Sequence, residues 1–194
     1  MHQLEPHFNW TPFYDANDDV RSPFYGRHYS ELEYSTEIYG YYIHPQWDSI
    51  GSSTLFVKII YADYDREHAI IEMIGEWNDL LHNDIMFLKR ELIDVLLAQG
   101  VSRFILIGEH VMNFHYAEED YYEEWLDEVN ESDGYIALLN FREHVIQDMC
   151  DGNIDSYFLL GGRLNDMTWR VQRPDLLLQK IDDLVQRRLG APSL

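Results

Sequence analysis

Short apolar runs alternate with segments of helical periodicity from about residue 84 to the C-terminus, and this alternation constrains the fold more than any other feature. The runs RFILIG (103–108), YIALLNF (135–141) and SYFLLGG (156–162) are too short for helices and rich in Ile, Leu and Phe, so they read as strands. Between them lie segments of period 3.6. Ile85, Leu88, Leu92, Val95 and Leu96 share one face, closed by Gly100. Ala117, Tyr121, Trp125 and Val129 share another, REHVIQDMC carries a third, and Pro174 opens a fourth that ends at Arg187, Arg188 and Gly190. Strands separated by helices pair in parallel through right-handed crossovers.

Upstream, TLFVKIIYAD (54–63) reads as a strand and EIYGYYIH (37–44) as an antiparallel companion ended by Pro45. From Glu67 the positions Ile70, Met73, Ile74, Trp77, Leu80 and Leu81 follow helical spacing and predict a helix. The expectation is an α/β fold: a three-layer domain with a mostly parallel sheet flanked by helices and an N-terminal antiparallel strand. The order resembles that of several superfolds, STAS-like regulatory domains among them. No residue motif accompanies that likeness, so it implies no activity.

The first 48 residues hold 12 of the chain's 28 aromatic side chains, with prolines at 6, 12 and 23 that forbid a long helix. Disordered tails are poor in aromatics. The segment is therefore expected to be ordered, with 1–36 an extended arm lying on its own core or on a second subunit. One domain over 1–194 fits the length, and so apolar a segment leads to the expectation of a homo-oligomer, a homodimer.

Charge excludes some partners. The chain has 35 acidic against 14 basic side chains, a net charge of −21. It repels phosphate backbones and anionic lipid, so neither nucleic acid nor membrane is expected as a partner. The most basic stretch, 162–194, nets about +2, which is no stripe. Nine acids and no Lys or Arg lie between Glu118 and Asp133, a solvated face or a surface for a basic protein partner. The single cysteine, Cys150, permits no intrachain disulfide and no cysteine-built zinc cage. The N-terminal residues lack the pattern of a signal peptide, and no apolar run reaches the length of a membrane span, so a cytoplasmic location is expected.

The sequence carries no phosphate-binding loop, dinucleotide fingerprint, zinc-protease helix or nucleophile elbow. Neither a metal nor a cofactor is expected. A geometric rule still selects residues, because ligands of open parallel sheets bind beyond the carboxyl ends of the strands. It picks Asp63 and Asp65, Glu109 and His110, Asn140 and Arg142, and Gly161, Gly162 and Arg163. Polar residues also mark any strand's exit from a core, and Gly108 is expected to end its strand and leave Glu109 in solvent. Two readings follow. The preferred one is a non-catalytic interaction or regulatory domain. The alternative is a hydrolase or transferase for an anionic small molecule, with Asp63, Glu109 and His110 as ligands or acid–base groups and Arg142 and Arg163 on the anion.

Overall fold

The computed structural model describes residues 4–30, 34 and 36–189. It is a mixed α/β structure built on a five-stranded sheet of order β3-β4-β5-β6-β7. The strands are β3 Asp48–Ser49, β4 Leu55–Asp63, β5 His68–Asn78, β6 Arg103–His115 and β7 Tyr135–Leu139. β3, β4 and β5 run antiparallel, whereas β5, β6 and β7 run parallel. The sheet is therefore mixed, with its parallel pairs in the second half.

The largest departure from the sequence reading is β5. Residues 68–78 form the central strand where a helix is expected, and every side chain except that of Glu76 is buried. A strand covered on both faces shows apolar residues at nearly every position, and such a run contains helical spacings by accident. The helix begins only afterwards, with one turn at α1 Asp79–His82 and then α2 Asp84–Leu88, a π-helical stretch Lys89–Ile93 and α3 Asp94–Leu97. Asn78 caps the first turn through Leu81 N–H. Gly100, at φ 87°, closes the last.

Two other strands also differ from expectation. The 37–44 segment folds on itself as a hairpin of β1 Glu37–Ile38 and β2 Tyr41–Tyr42, outside the main sheet. The 156–160 run makes one parallel bridge, Ala137 to Leu159, between 3₁₀ turns Ile154–Tyr157 and Gly162–Asn165. The helices α4 Asp120–Asn130, α5 Glu143–Asp151 and α6 Pro174–Leu189 form where their periodicity places them. Gly190, expected to close α6, lies outside the described residues.

Strand alternation sends side chains to two cores. Leu55, Val57, Ile59, Ile71, Met73, Phe104 and Leu106 face helices α2–α5. Ile60, Ile70, Ile105, Ile107, Ala137 and Leu139 face α6 through Leu177, Leu178, Ile181 and Val185. The arm contributes to both, Phe24 to the first and Trp10 to the second. It is tied to its own chain by Trp10 Nε1 donating to Gln172 C=O at 2.8 Å and by Tyr14 and Tyr64 hydroxyls donating to Asp19. No described helix is long and apolar enough to cross a membrane.

Candidate functional site at the carboxyl edge

β6 does not stop at Gly108. It continues seven residues to His115, and Gly108 lets the Phe141 ring lie against its backbone, since a Cβ there would come within 2.4 Å of that ring. Glu109 and His110 are thus strand residues. Their neighbour on β5 is Glu72, wholly buried, with register Ile74 opposite His110.

A closed polar network forms here. Arg170 donates to Glu72 Oε1 at 2.7 Å and to Glu109 Oε2 at 2.8 Å, bridging two acids from adjacent strands. Glu109 Oε1 accepts from Asn140 Nδ2 at 2.9 Å and Trp169 Nε1 at 2.8 Å. Glu72 Oε2 accepts the His7 backbone N–H at 2.7 Å, so the arm seals the acid from above. His7, Trp10 and Trp169 meet edge to face over the network, and the Arg170 guanidinium lies 4.4 Å over the Trp169 ring. Burial pushes Glu72 above the usual carboxylate range, against the pull of Arg170. Burial acts on Glu109 too, but the Asn140, Trp169 and Arg170 donors outweigh it and hold that carboxyl low. The expectation of a free, solvent-exposed Glu109 is therefore corrected: both oxygens are engaged, and its arginine is Arg170.

His110 joins the network too, with its Nε2 3.2 Å from an Arg170 amino group and 3.9 Å from Glu72 Oε1, whereas Asp63, Asp65 and Arg163 lie elsewhere. β4 is antiparallel to β5, so Asp63 pairs with His68 at the opposite end of the sheet, and the exposed Asp65 lies in the turn that follows. Asp63 accepts the Arg66 N–H at 3.0 Å and helps shape that turn. Arg163, on the 3₁₀ turn, opens into a separate groove against α6 with Lys180 and Arg187. Arg142 and His110 remain neighbours. Arg142 Nε donates to the Glu109 carbonyl at 3.3 Å, and both side chains line one cleft.

That cleft, of about 360 Å³, lies between the hairpin and the ends of β5 and β6. Ile38, Ile43 and Ile74 are its apolar floor, continuous with a small buried cluster that includes Trp47 and Phe56. Leu4, Tyr39, Tyr41 and Met112 form its exposed rim. Gly75 makes the close approach: at φ 115°, a Cβ would sit 1.9 Å from the Thr54 carbonyl and 2.9 Å from Ile38. The hairpin is latched by Glu76, which accepts from the Tyr39 hydroxyl at 2.8 Å and from Asn113 Nδ2 at 2.7 Å.

A second acidic cluster, on α3 and α4, has the shape of a cation site. Asp94, Glu124 and Glu128 bring carboxylate oxygens within 4.8 Å of one another. The fully buried Lys89 ammonium fills it, 2.6 Å from Glu128 and closer still to Asp94. Arg90 adds two bonds to Glu124. The inner acids of α4 are neutralised in this way, while Asp120, Glu123 and Asp127 face solvent.

Glu72, Arg170, Trp169 and His7 were not selected from sequence. Glu72 left one trace, a lone acid inside the apolar run AIIEMI, which is tolerable only if paired. Arg170 lies 98 residues away and leaves none.

No family model matches the chain, and no curated protein matches it. Among solved structures, that of a candidate anti-sigma factor antagonist from Thermotoga maritima resembles it at a TM-score of 0.43 and 14% identity, over 65% of this chain and 92% of that one. A likeness so distant transfers neither fold nor function.

Proposed function

We propose that this chain is a non-catalytic interaction domain that receives a protein partner at the hairpin cleft. One observation carries the reading: the carboxyl edge offers an open cleft with an apolar floor and a rim of Tyr39, Tyr41, Met112 and Arg142. Tyr, Met and Arg are the residue types enriched where proteins bind proteins, and rigid Tyr rings give contact area at low entropic cost. The acids that an enzyme would use at this edge, Glu72 and Glu109, are instead saturated by Arg170, Asn140, Trp169 and the arm. The exposed acids of α4 and the net charge of −21 favour a basic partner over nucleic acid or membrane.

A displayed peptide library selected against the protein tests this. Enriched peptides should shift the amide resonances of Ile38, Ile43, Tyr41 and Met112, and Tyr41→Ala should weaken them by about tenfold, the loss of one good anchor. Tyr41 is 54% exposed, so the variant should fold normally. Peptides that map elsewhere, or that bind Tyr41→Ala unchanged, would remove the proposal.

A further inference from the structure

The polar end of the cleft specifies what its partner carries. Arg142 is exposed, and of its five donors only the Nε–H has a protein acceptor, the Glu109 carbonyl; its two terminal amino groups have none among the described residues. A guanidinium presents those two groups as a fork that fits a carboxylate. On the same cleft Glu76 is an acid whose two oxygens are held by Tyr39 and Asn113, so it is fixed in place. Around both lies the field of a chain with a net charge of −21. The requirements are therefore opposite: a local carboxylate for Arg142, and positive charge for Glu76 and for approach to the protein. An apolar side chain between the two would fill the floor of Ile38, Ile43 and Ile74.

We infer that the cleft receives the C-terminus of a basic chain: a free carboxylate on Arg142, a bulky apolar last residue on the isoleucine floor, and Lys or Arg just upstream beside Glu76. A chain end satisfies all three with a carboxylate that every protein carries, and capture of a terminal carboxylate is an established mode of peptide recognition. The size agrees, because 360 Å³ holds one or two side chains and not a helix. This inference rests on the reading of the cleft as a protein-binding site and adds the chemistry of the partner.

Two synthetic peptides of sequence KKGLF separate the inference from the reading beneath it, one ending in a free carboxylate and the other amidated. Titration of the full chain by calorimetry should show the free acid binding about tenfold more tightly than the amide, the effect of a charge-assisted pair. Arg142→Gln, which keeps an amide donor for the Glu109 carbonyl, should erase that difference, and Arg142→Lys should restore part of it. Tyr41→Ala should weaken both peptides. Equal binding of acid and amide, with both weakened by Tyr41→Ala, would leave the protein-binding cleft standing and overturn the terminal carboxylate. No saturable binding of the free acid at millimolar concentration, or binding indifferent to Arg142→Gln, would overturn it as well.

Discussion

Two pairs of carboxylates sit on opposite faces of this sheet, Glu109 half-buried and the other three buried, and they are kept there by different means. Glu72 and Glu109 face α6 and share Arg170. Asp79 and Asp84 face the α2–α5 side at the end of β5, and no cation among the described residues bonds to either. Asp79 accepts from Trp77 Nε1 at 3.1 Å and Ile85 N–H at 2.8 Å, and takes a very short bond from the Tyr122 hydroxyl. Asp84 accepts from the Asn78 N–H at 2.8 Å and the Thr54 hydroxyl at 3.0 Å, and its other oxygen is buried with no hydrogen-bond partner among the described residues. Burial, with Asp84 beside it, raises the Asp79 carboxyl to about 7. One pair is thus held by an arginine, whereas in the other burial favours the protonated form of Asp79. A buried acid needs a counter-charge or it must be neutral, and this molecule shows both solutions one strand-end apart.

The comparison is broken most severely by removing the arginine. Arg170→Met should cost about 3–5 kcal/mol at pH 7, because it leaves the fully buried Glu72 uncompensated. Urea denaturation measures it, and a loss below about 1 kcal/mol would mean that solvent reaches Glu72.

Asp79 makes the next largest prediction. The folded Asp79 titrates near 7 against an ordinary 3.8, so its contribution is complete below 3.8 and is lost as pH rises through 7. At most it amounts to about 4 kcal/mol. Between pH 5 and 8 the unfolding free energy should therefore fall, and Asp79→Asn should flatten the fall. A variant with the parent's slope would place the proton elsewhere. Glu109 has the opposite sign: its carboxyl is held low, so its contribution is present at neutral pH and is lost on acidification.

A milder perturbation sharpens the same contrast. Glu109→Gln should cost about 1–3 kcal/mol, since the amide keeps an acceptor for Trp169 or Asn140 but loses the charge facing Arg170. The smallest effect belongs to a side chain outside either network. Leu81, 72% exposed on the turn beside Asp79, should change stability by less than about 0.5 kcal/mol when replaced by Ala.

The same contrast marks what could be read from the sequence. Local signals were legible: the face of α2–α3, the cap at Gly100, the amphipathic α4 and the Pro174 start of α6 all depend on residues within a turn or two. The apolar run of β6 was legible as a strand, but not its length, because Gly108 looks like a terminus until Phe141 is seen packing on it. β5 was misread because burial on both faces erases the alternation that identifies a strand. The 156–160 run has strand composition, yet only Leu159 pairs. Of the site residues, Glu109, His110 and Arg142 were found from their place at strand ends. Asp63 and Asp65 were misplaced because strand direction is a property of pairing, and pairing is not local. Arg170 and the arm residues reach the site across the whole fold.

The buried Lys89 has a consequence for how this protein meets reagents. The chain has three lysines. Lys89 is fully enclosed by its three carboxylates, and Lys58 is 13% exposed and paired with Asp48 at 3.2 Å. Lys180 is the one lysine whose residue is exposed to solvent. In the native state, amine-directed labels, acyl donors and lysine-specific proteases therefore meet a nearly blank surface at its lysines. The many exposed carboxylates are the chemical handles by which its contacts can be mapped.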